Sequence, residues 1–521
     1  MLLRKTLGMP EFAAALAAAD PTAVALADQY RDLTWTEVND TLNRCANLLL
    51  SMDLGPKRRI SIFAENAGET ALAHLGGLLA GCSTVPVNFH LTAEEAAYIV
   101  SDSESQVIFC DESTVSRAQH AAREAGIKTV IMWSTDDTDN TDNTDGVDGW
   151  LEWLNTGSCE HPPMSTMPLP NLLYTSGTTG LPKGTDLPPT MFAGGDNMAE
   201  HLETMKGHGL ARFGTHLVVG PMYHTGPLSG MRLLAAGVSS VIRGRFDAEA
   251  TLAAIDKYKT ASTVMVPTHF VRMLQLPDDI KAKYDVSSMK LIAHTGAKCP
   301  IDVKRQMIDW FGPVFSDSYG ASEVGTTCSI NSAEWLKHPG SVGKAIAPFT
   351  AMILDDNNNE LPPNTEGRLY FKDQTGRGIV YPNDPQKTAA AHIAPGIFTL
   401  GEIAYMDDDG YVYLTDRFSD MVVSGGANIY PAEAELILID HPQITDVACI
   451  GVPDPDMGES LKALVIPADA DNPPDAAALI AWCKERLTSY KCPRSVDIVD
   501  TVGRTTMGKI NKRKLRAPYW A

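Results

Sequence analysis

The segment 174–184, YTSGTTGLPKG, holds the densest group of residues that could bind a ligand. After Tyr174 come four Ser or Thr hydroxyls, three glycines and Lys183. Glycines let the backbone bring its N–H groups close to a ligand, hydroxyls add neutral donors, and the lysine adds a point charge. Pro182 replaces the second glycine of a Walker A loop, so this is a different pattern. The segment predicts a polyphosphate-binding loop rather than a plain Gly-rich turn.

Five further segments carry residues that could act on the same ligand. The segment 317–323, DSYGASE, combines an aromatic ring suited to a purine with a carboxylate suited to a hard cation. The other four are PMYHTG at 221–226, TGAK at 295–298, the run 416–433 with its paired glycines, and GRTTMGKI at 503–510. Taken alone, each could be an exposed turn, a structural histidine or a solvated basic tail.

In this order the six segments resemble the motifs of the adenylate-forming superfamily, which includes acyl-CoA synthetases, peptide synthetase adenylation domains and beetle luciferases. The resemblance runs through most of the chain. It implies an acyl-CoA synthetase, of the fatty-acid–CoA ligase type, that uses ATP and Mg²⁺ to convert a carboxylic acid to its adenylate. The acyl group then passes to the thiol of CoA, with release of AMP and pyrophosphate.

The resemblance also implies roles in nucleotide binding. Tyr319 would stack on adenine, Ser322 would contact the α-phosphate, and Glu323 would hold Mg²⁺. Thr175 is a second expected metal contact. The other expected nucleotide or pocket residues are Ser176, Gly177, Thr178, Thr179, Lys183, Gly296, Ala297, Asp317 and Gly320.

Residues of the remaining motifs would serve the two chemical steps. Lys509 is the expected catalytic lysine of adenylate formation, and His224 would sit between the acyl pocket and the thiol path. Glu323 is the third expected catalytic residue. Arg417 would hydrogen-bond the ribose, and Gly425 with Gly426 would let the pantetheine arm pass close to the backbone because no Cβ blocks it.

The sequence departs from the family pattern at a few positions. Glu402 stands where the family has an aspartate at the ribose, and its extra methylene shifts the expected hydrogen bonds. Ser419 replaces the usual Asp or Lys of the hinge between domains. Gly226 comes one residue early in its motif, and Gly503 replaces a proline.

Strand-like and helix-like segments alternate over the first three hundred residues, which favours an α/β body with largely parallel sheets. The predicted strands there are 60–64, 106–110, 129–133, 216–220, 240–244, 263–267 and 290–296. Short strands and turns over 340–416 predict a small β-rich subdomain. We expect an N-terminal adenylation domain at 1–418 and a small, mobile α+β domain at 419–521 that carries the catalytic lysine.

The composition limits the classes of partner that the chain can be expected to bind. The formal net charge of −21 argues against nucleic acid and requires any ATP site to be built from local donors. The nine scattered cysteines indicate neither a zinc site nor a disulfide framework, which favours the cytosol. No signal peptide or transmembrane segment is predicted, and a homodimer is left open. The acidic run 134–149 predicts a surface loop, with metal binding as the weaker alternative.

Three other functions remain open at this stage. The acceptor thiol could belong to a carrier protein, the adenylate could be oxidised as in a luciferase, or the chain could be an inactive nucleotide-binding regulator. The expected acyl pocket walls are 223–230, 266–270 and 294–297. They are mostly apolar or small, so we expect a hydrophobic acid: fatty, aryl, alicyclic or a steroid side chain.

Overall fold

The structure is a computed structural model. It describes residues 9–134, 146–175, 182–192, 194–207, 209–296, 299, 301–355, 357–381, 384–417, 420–503, 510 and 512–520. Most of the acidic run predicted as a surface loop lies outside these ranges, so that prediction is untested.

A five-stranded, wholly parallel sheet forms one layer of the N-terminal part. Its strands, in spatial order, are Ser83–Pro86, Arg59–Phe63, Val107–Asp111, Thr129–Trp133 and Asp148–Gly149. The helices Gly68–Leu79, Ala93–Asp102 and Val115–Ala125 connect them. Nearly continuous runs of Val, Ile and Phe form these strands because both faces of the sheet are covered.

A nine-stranded sheet forms a second layer and positions the site. Its spatial order is Lys344–Ala345, Gly325–Asn331, Phe315–Ala321, Leu291–His294, Ser262–Met265, His216–Val218, Ser240–Ile242, Val24–Ala27 and Asp32–Thr34. The central strands are parallel, and antiparallel strands finish both edges. The other N-terminal helices are Met9–Ala19, Trp35–Ser51, Trp150–Asn155, Met198–Lys206, Thr225–Met231, Ala248–Tyr258, Pro267–Leu274, Asp278–Lys283, Ile301–Phe311, Ser332–Trp335 and Pro385–Ala390.

Two antiparallel sheets complete the N-terminal part. The segment predicted to be β-rich contributes the six strands Phe349–Leu354, Gly367–Asp373, His392–Ala394, Ile397–Phe398, Glu402–Met406 and Val412–Arg417. The strands Leu172–Thr175 and Lys183–Asp186 form a hairpin around the phosphate-loop motif, with Thr175 opposite Lys183.

The chain after 420 builds its own sheet. Its strands are Val422–Ser424, Ala427–Ile429, Ile444–Asp454, Gly458–Pro467 and Ser495–Ile498, and its helices are Pro431–Ile439, Ala476–Lys484 and Lys512–Arg516. Buried apolar side chains such as Val422, Leu438 and Leu461 pack with one another in a core of their own. A small domain with a separate core can move as a unit.

The predicted fold class is confirmed: a large layered α/β part with a β-rich subdomain precedes a small α+β domain. Each of the seven predicted N-terminal strands coincides with an observed strand within a few residues. The precise boundary at 418/419 stays a prediction. Among the helices of the described ranges, none combines the length and the apolar character that a membrane crossing requires.

Candidate active site

A cavity of about 2340 Å³ lies at the carboxyl ends of the parallel strands and is bordered by both domains. Parallel sheets bind ligands at this edge because loops and strand ends converge there. The volume exceeds that of a usual single-ligand pocket, so several reactants fit together. The predicted site residues that line it are His224, Gly296, Asp317, Tyr319, Gly320, Ser322, Glu323, Glu402, Gly425 and Gly426.

Some predicted residues cannot be assessed. The predicted positions outside the described residues are Ser176, Gly177, Thr178, Thr179, Ala297, Ser419 and Lys509. The backbones of Thr175 and Arg417 lie in described strands, and Arg417 pairs with Glu402 across two of them.

Tyr319 and Glu402 meet at one wall of the cavity. The Tyr319 hydroxyl donates a hydrogen bond of 2.6 Å to Oε2 of Glu402. Tyr319 comes from the nine-stranded sheet and Glu402 from the β-rich subdomain, so the contact joins two layers. The carboxylate at the expected ribose position is therefore held by the tyrosine expected to stack on adenine.

Glu323 lies within a polar group that the sequence did not reveal. Tyr381 donates a hydrogen bond of 3.1 Å to its Oε1, and Arg377 donates one of 3.4 Å to its backbone oxygen. Lys387 lies over the Tyr381 ring, with Nζ 3.9 Å from the centroid. Burial and the nearby Lys183 outweigh the attraction of Glu323 and lower the pKa of Lys387. These residues follow no phosphate-binding pattern, so no local signal announced them.

Lys183 is not part of the cavity lining. Its ammonium instead forms an ion pair with Asp384. Asp384 also caps the helix Pro385–Ala390, because its Oδ1 accepts a hydrogen bond of 2.9 Å from the Lys387 backbone N–H. The cation at the base of the phosphate-loop motif is thus tied to the helix that carries Lys387.

The Ser322 side chain contacts Thr225, the residue that follows His224 in the chain. The hydroxyls of Ser322 and Thr225 lie 2.8 Å apart, and Thr225 directly follows His224. The His224 ring is open to the cavity, yet the surrounding protein and the nearby His90 lower its pKa to about 4. A neutral imidazole at pH 7 can accept a proton.

The Gly425–Gly426 turn faces the cavity from the C-terminal domain. Both residues have positive φ, +56° and +83°. A Cβ on Gly426 would lie 3.1 Å from the Val266 side chain, and one on Gly425 would lie 2.2 Å from Met457 Cε. The positive φ favours glycine at both positions, and at Gly426 the missing side chain also lets the two domains approach closely.

Asp317 is held from behind by a buried lysine. Lys304 is 1% exposed, and its Nζ donates a hydrogen bond of 3.1 Å to Oδ2 of Asp317. His294 lies fully buried beside them, and neither ring nitrogen has a hydrogen-bond partner.

Phe270, expected in the pocket wall, instead packs edge-on against His294 and Phe315 in the core. That expectation was wrong, since its helix turns the ring inward.

The cavity residues fit a metal ion that is bound mainly through the phosphates of a nucleotide. Among the described residues no group of three or more His, Cys, Asp or Glu could hold a metal ion by itself. Glu323 is one of the carboxylates that line the cavity, which matches the way Mg²⁺ binds through one or two carboxylates together with substrate phosphates.

Comparison with known proteins identifies the class. The model of the AMP-binding enzyme family matches residues 13–378, and that of the AMP-binding enzyme C-terminal domain matches 433–509. The chain belongs to the AMP-binding enzyme family. It is therefore an ATP-dependent enzyme of the adenylate-forming, acyl-CoA ligase type, a family that uses ATP and CoA.

The individual relatives differ in substrate. A feruloyl-CoA synthase of Amycolatopsis sp is 29% identical over 506 residues, 96% of each chain. The long-chain-fatty-acid–CoA ligase FadD13 of Mycobacterium tuberculosis is 28% identical over 499 residues, 94% of this chain and 93% of the relative. The amide bond synthetase McbA of Marinactinospora thermotolerans superimposes with a TM-score of 0.81 at 23% identity, covering 98% and 100% of the two chains.

The buried His294 should make stability depend on pH. Burial lowers its pKa to about 4, so the unfolded chain, with an ordinary pKa of 6.5, binds the proton first as pH falls. The contribution of His294 to the free energy of unfolding is fully present above pH 6.5. It falls toward pH 4, by up to about 1.4 kcal/mol per pH unit for one such group. We expect His294→Asn to flatten this part of the curve, measured by urea unfolding at pH 7.5, 6 and 5.

Other buried histidines titrate in the same window, so only part of the slope should disappear. His120, which is only half-buried, supplies a control, and His120→Asn should leave the slope unchanged. Equal slopes in the wild type and His294→Asn would contradict the assignment.

Proposed function

We propose that this protein activates a hydrophobic carboxylic acid with ATP and transfers the acyl group to CoA, releasing AMP and pyrophosphate. One observation carries the proposal. A single cavity joins the Tyr319–Glu402 pair, Glu323 and His224 in one domain to the Gly425–Gly426 turn of the other. An adenylate formed at the first group would lie within reach of a thiol entering beside the second.

Adenylate formation requires little covalent chemistry from the protein. The carboxylate attacks the α-phosphorus and pyrophosphate leaves, so positioning and electrostatic stabilisation supply the rate. Tyr319 and Glu402 bind the nucleoside, Ser322 donates to the α-phosphate, and Glu323 holds Mg²⁺. When bound, Mg²⁺ neutralises phosphate charge. Lys509, which lies outside the described residues, bridges the carboxylate and the α-phosphate.

The second step replaces AMP by a thiol. His224 is neutral at pH 7 and lines the cavity, so its imidazole can accept a hydrogen bond from the thiol near the acyl carbonyl. The Gly425–Gly426 turn lines the cavity without side chains, so the pantetheine arm would pass close to its backbone. Rotation of the C-terminal domain between the steps would remove Lys509 and bring in this turn.

The acyl portion of the cavity supports a hydrophobic substrate. Met191, Phe213, Tyr223 and Val264 line it, together with the small Gly226. Feruloyl and long-chain fatty acyl groups, named for two relatives, are both largely apolar. A carrier-protein thiol remains the second candidate acceptor, since a phosphopantetheine arm from either source would approach the cavity beside Gly426.

The decisive test separates the two half-reactions. We expect Lys509→Ala to lose acid-dependent exchange of pyrophosphate into ATP, because the bridging cation is gone. The same variant should still convert a presynthesised acyl-adenylate and CoA to thioester. Equal loss of both steps would sink the two-step assignment. No exchange by the wild type with any acid would indicate an inactive regulator.

Nucleotide affinity tests the role of Glu402. Glu402→Gln keeps an acceptor for Tyr319 but removes the charge that favours the ribose hydroxyls. We expect KM for ATP to rise about tenfold, as for loss of a charged hydrogen bond, with KM for the acid unchanged. Steady-state AMP release measures both constants. Glu360→Gln, at an exposed position outside the cavity, is the matched control, and an unchanged KM for ATP in Glu402→Gln would refute the role.

A panel of acids in the AMP-release assay tests the substrate class. Aryl, alicyclic and medium- to long-chain fatty acids should give higher kcat/KM than acetate, malonate or amino acids, since the walls offer apolar contact. Omitting CoA or supplying a phosphopantetheinylated carrier protein compares the acceptors. A clear preference for a short dicarboxylic acid would overturn the hydrophobic assignment.

A further inference from the structure

The two domains also meet at a charged cluster centred on Glu95. Glu95 lies in the first turn of the N-terminal helix Ala93–Asp102, and its side chain is 15% exposed. Two groups from the C-terminal domain donate to it: Lys491 Nζ to Oε1 at 2.9 Å and Thr488 Oγ1 to Oε2 at 2.6 Å. A carboxylate that accepts from both groups across a domain boundary fixes the relative position of the domains more closely than apolar contact does.

Lys491 has a second carboxylate within its own domain. Its Nζ lies 2.8 Å from Glu433, and both side chains are 5% exposed or less. Despite burial, its two carboxylate neighbours and Tyr490 raise the pKa of Lys491. Burial opposes ionisation of Glu95, but Lys491 and Thr488 outweigh it and lower the pKa of Glu95. Both partners are therefore charged at pH 7.

The same contact surface reaches the catalytic cavity. Tyr490, next to Lys491, accepts a hydrogen bond of 3.0 Å from Asn88 and packs edge-on against His90, with centroids 6.1 Å apart. His90 is one of the groups that lower the pKa of His224. On another part of the boundary, Gly426 approaches Val266. One docked arrangement thus produces the Glu95 contacts and places the glycine turn at the cavity.

We propose that Glu95 is a positioning residue for the thioester-forming step: it holds the C-terminal domain in the arrangement that presents the Gly425–Gly426 turn. The role rests on the proposed function, in which the domain rotates between half-reactions. When it rotates, Lys491 leaves Glu95 but keeps Glu433, so the lysine is never stranded without a counter-charge. The contact can therefore open without exposing an uncompensated buried charge.

Glu95 has a second task that the test must preserve. Its Oε2 accepts a hydrogen bond of 2.9 Å from the Thr92 backbone N–H, completing a capping box at the start of its helix. Glutamine serves equally well at this position of a capping box. Glu95→Gln therefore removes the charge that binds Lys491 while it keeps the helix start.

The experiment measures both half-reactions for this variant. We expect Glu95→Gln to reduce thioester formation from presynthesised acyl-adenylate and CoA by about tenfold, since a charged contact is lost. Acid-dependent pyrophosphate exchange should stay at the wild-type rate, because on this proposal the domains dock differently while the adenylate forms. Glu94→Gln, one residue earlier and exposed, removes the same charge outside the contact and should leave both rates unchanged.

A variant on the other side of the boundary checks the pairing. Thr488→Val should show the same selective loss, and the double variant with Glu95→Gln should lose less than the two single effects combined. If the Glu95→Gln variant kept wild-type rates in both steps, or lost both rates equally, the positioning role would be overturned. A wild-type protein that forms no adenylate would instead overturn the proposed function, and this role with it.

Discussion

Parallel pairing of four strands, His216–Val218, Ser262–Met265, Leu291–His294 and Phe315–Ala321, brings their carboxyl ends to one edge of the nine-stranded sheet. The rest of the site depends on this constraint. Residues that follow the first three strands, and residues at the end of the fourth, must converge on one cavity. His224, Val266, Gly296 and Tyr319 do so although more than ninety positions separate the first from the last.

An acidic protein that binds a polyanion has to place its few cations with care. The chain carries 64 acidic and 43 basic side chains, so its net charge opposes the long-range approach of ATP. Local contacts set the positions of individual cations: Asp384 holds Lys183, Asp317 holds the buried Lys304, and Lys387 lies over an aromatic ring near Glu323. Of these three cations Lys387 lines the cavity, whereas the other two are neutralised by their carboxylate partners.

Motion is built into the same site. The nucleotide residues belong to one domain and the glycine turn to another with a separate core, so chemistry at the cavity depends on how the domains dock. Gly426 permits close approach because it lacks a side chain, and the Glu95 cluster gives that approach a polar anchor. Polar anchors suit a reversible contact, since both partners are readily solvated when the domains part.

Local pattern was enough to predict the fold class, the seven N-terminal strands, the β-rich segment and the order of the motifs. These features depend on periodicity and on residues close together in the chain. The phosphate-binding role of the loop 174–184 stays a prediction, since residues 176–181 lie outside the described ranges. The partners of those motifs came only from the tertiary structure. Tyr381 beside Glu323, Asp384 beside Lys183 and Glu402 beside Tyr319 are brought together from different layers, as is Lys491 with Glu95 from different domains. No short-range sequence pattern predicts such pairs, because the packing of layers and domains sets the distance between the two side chains.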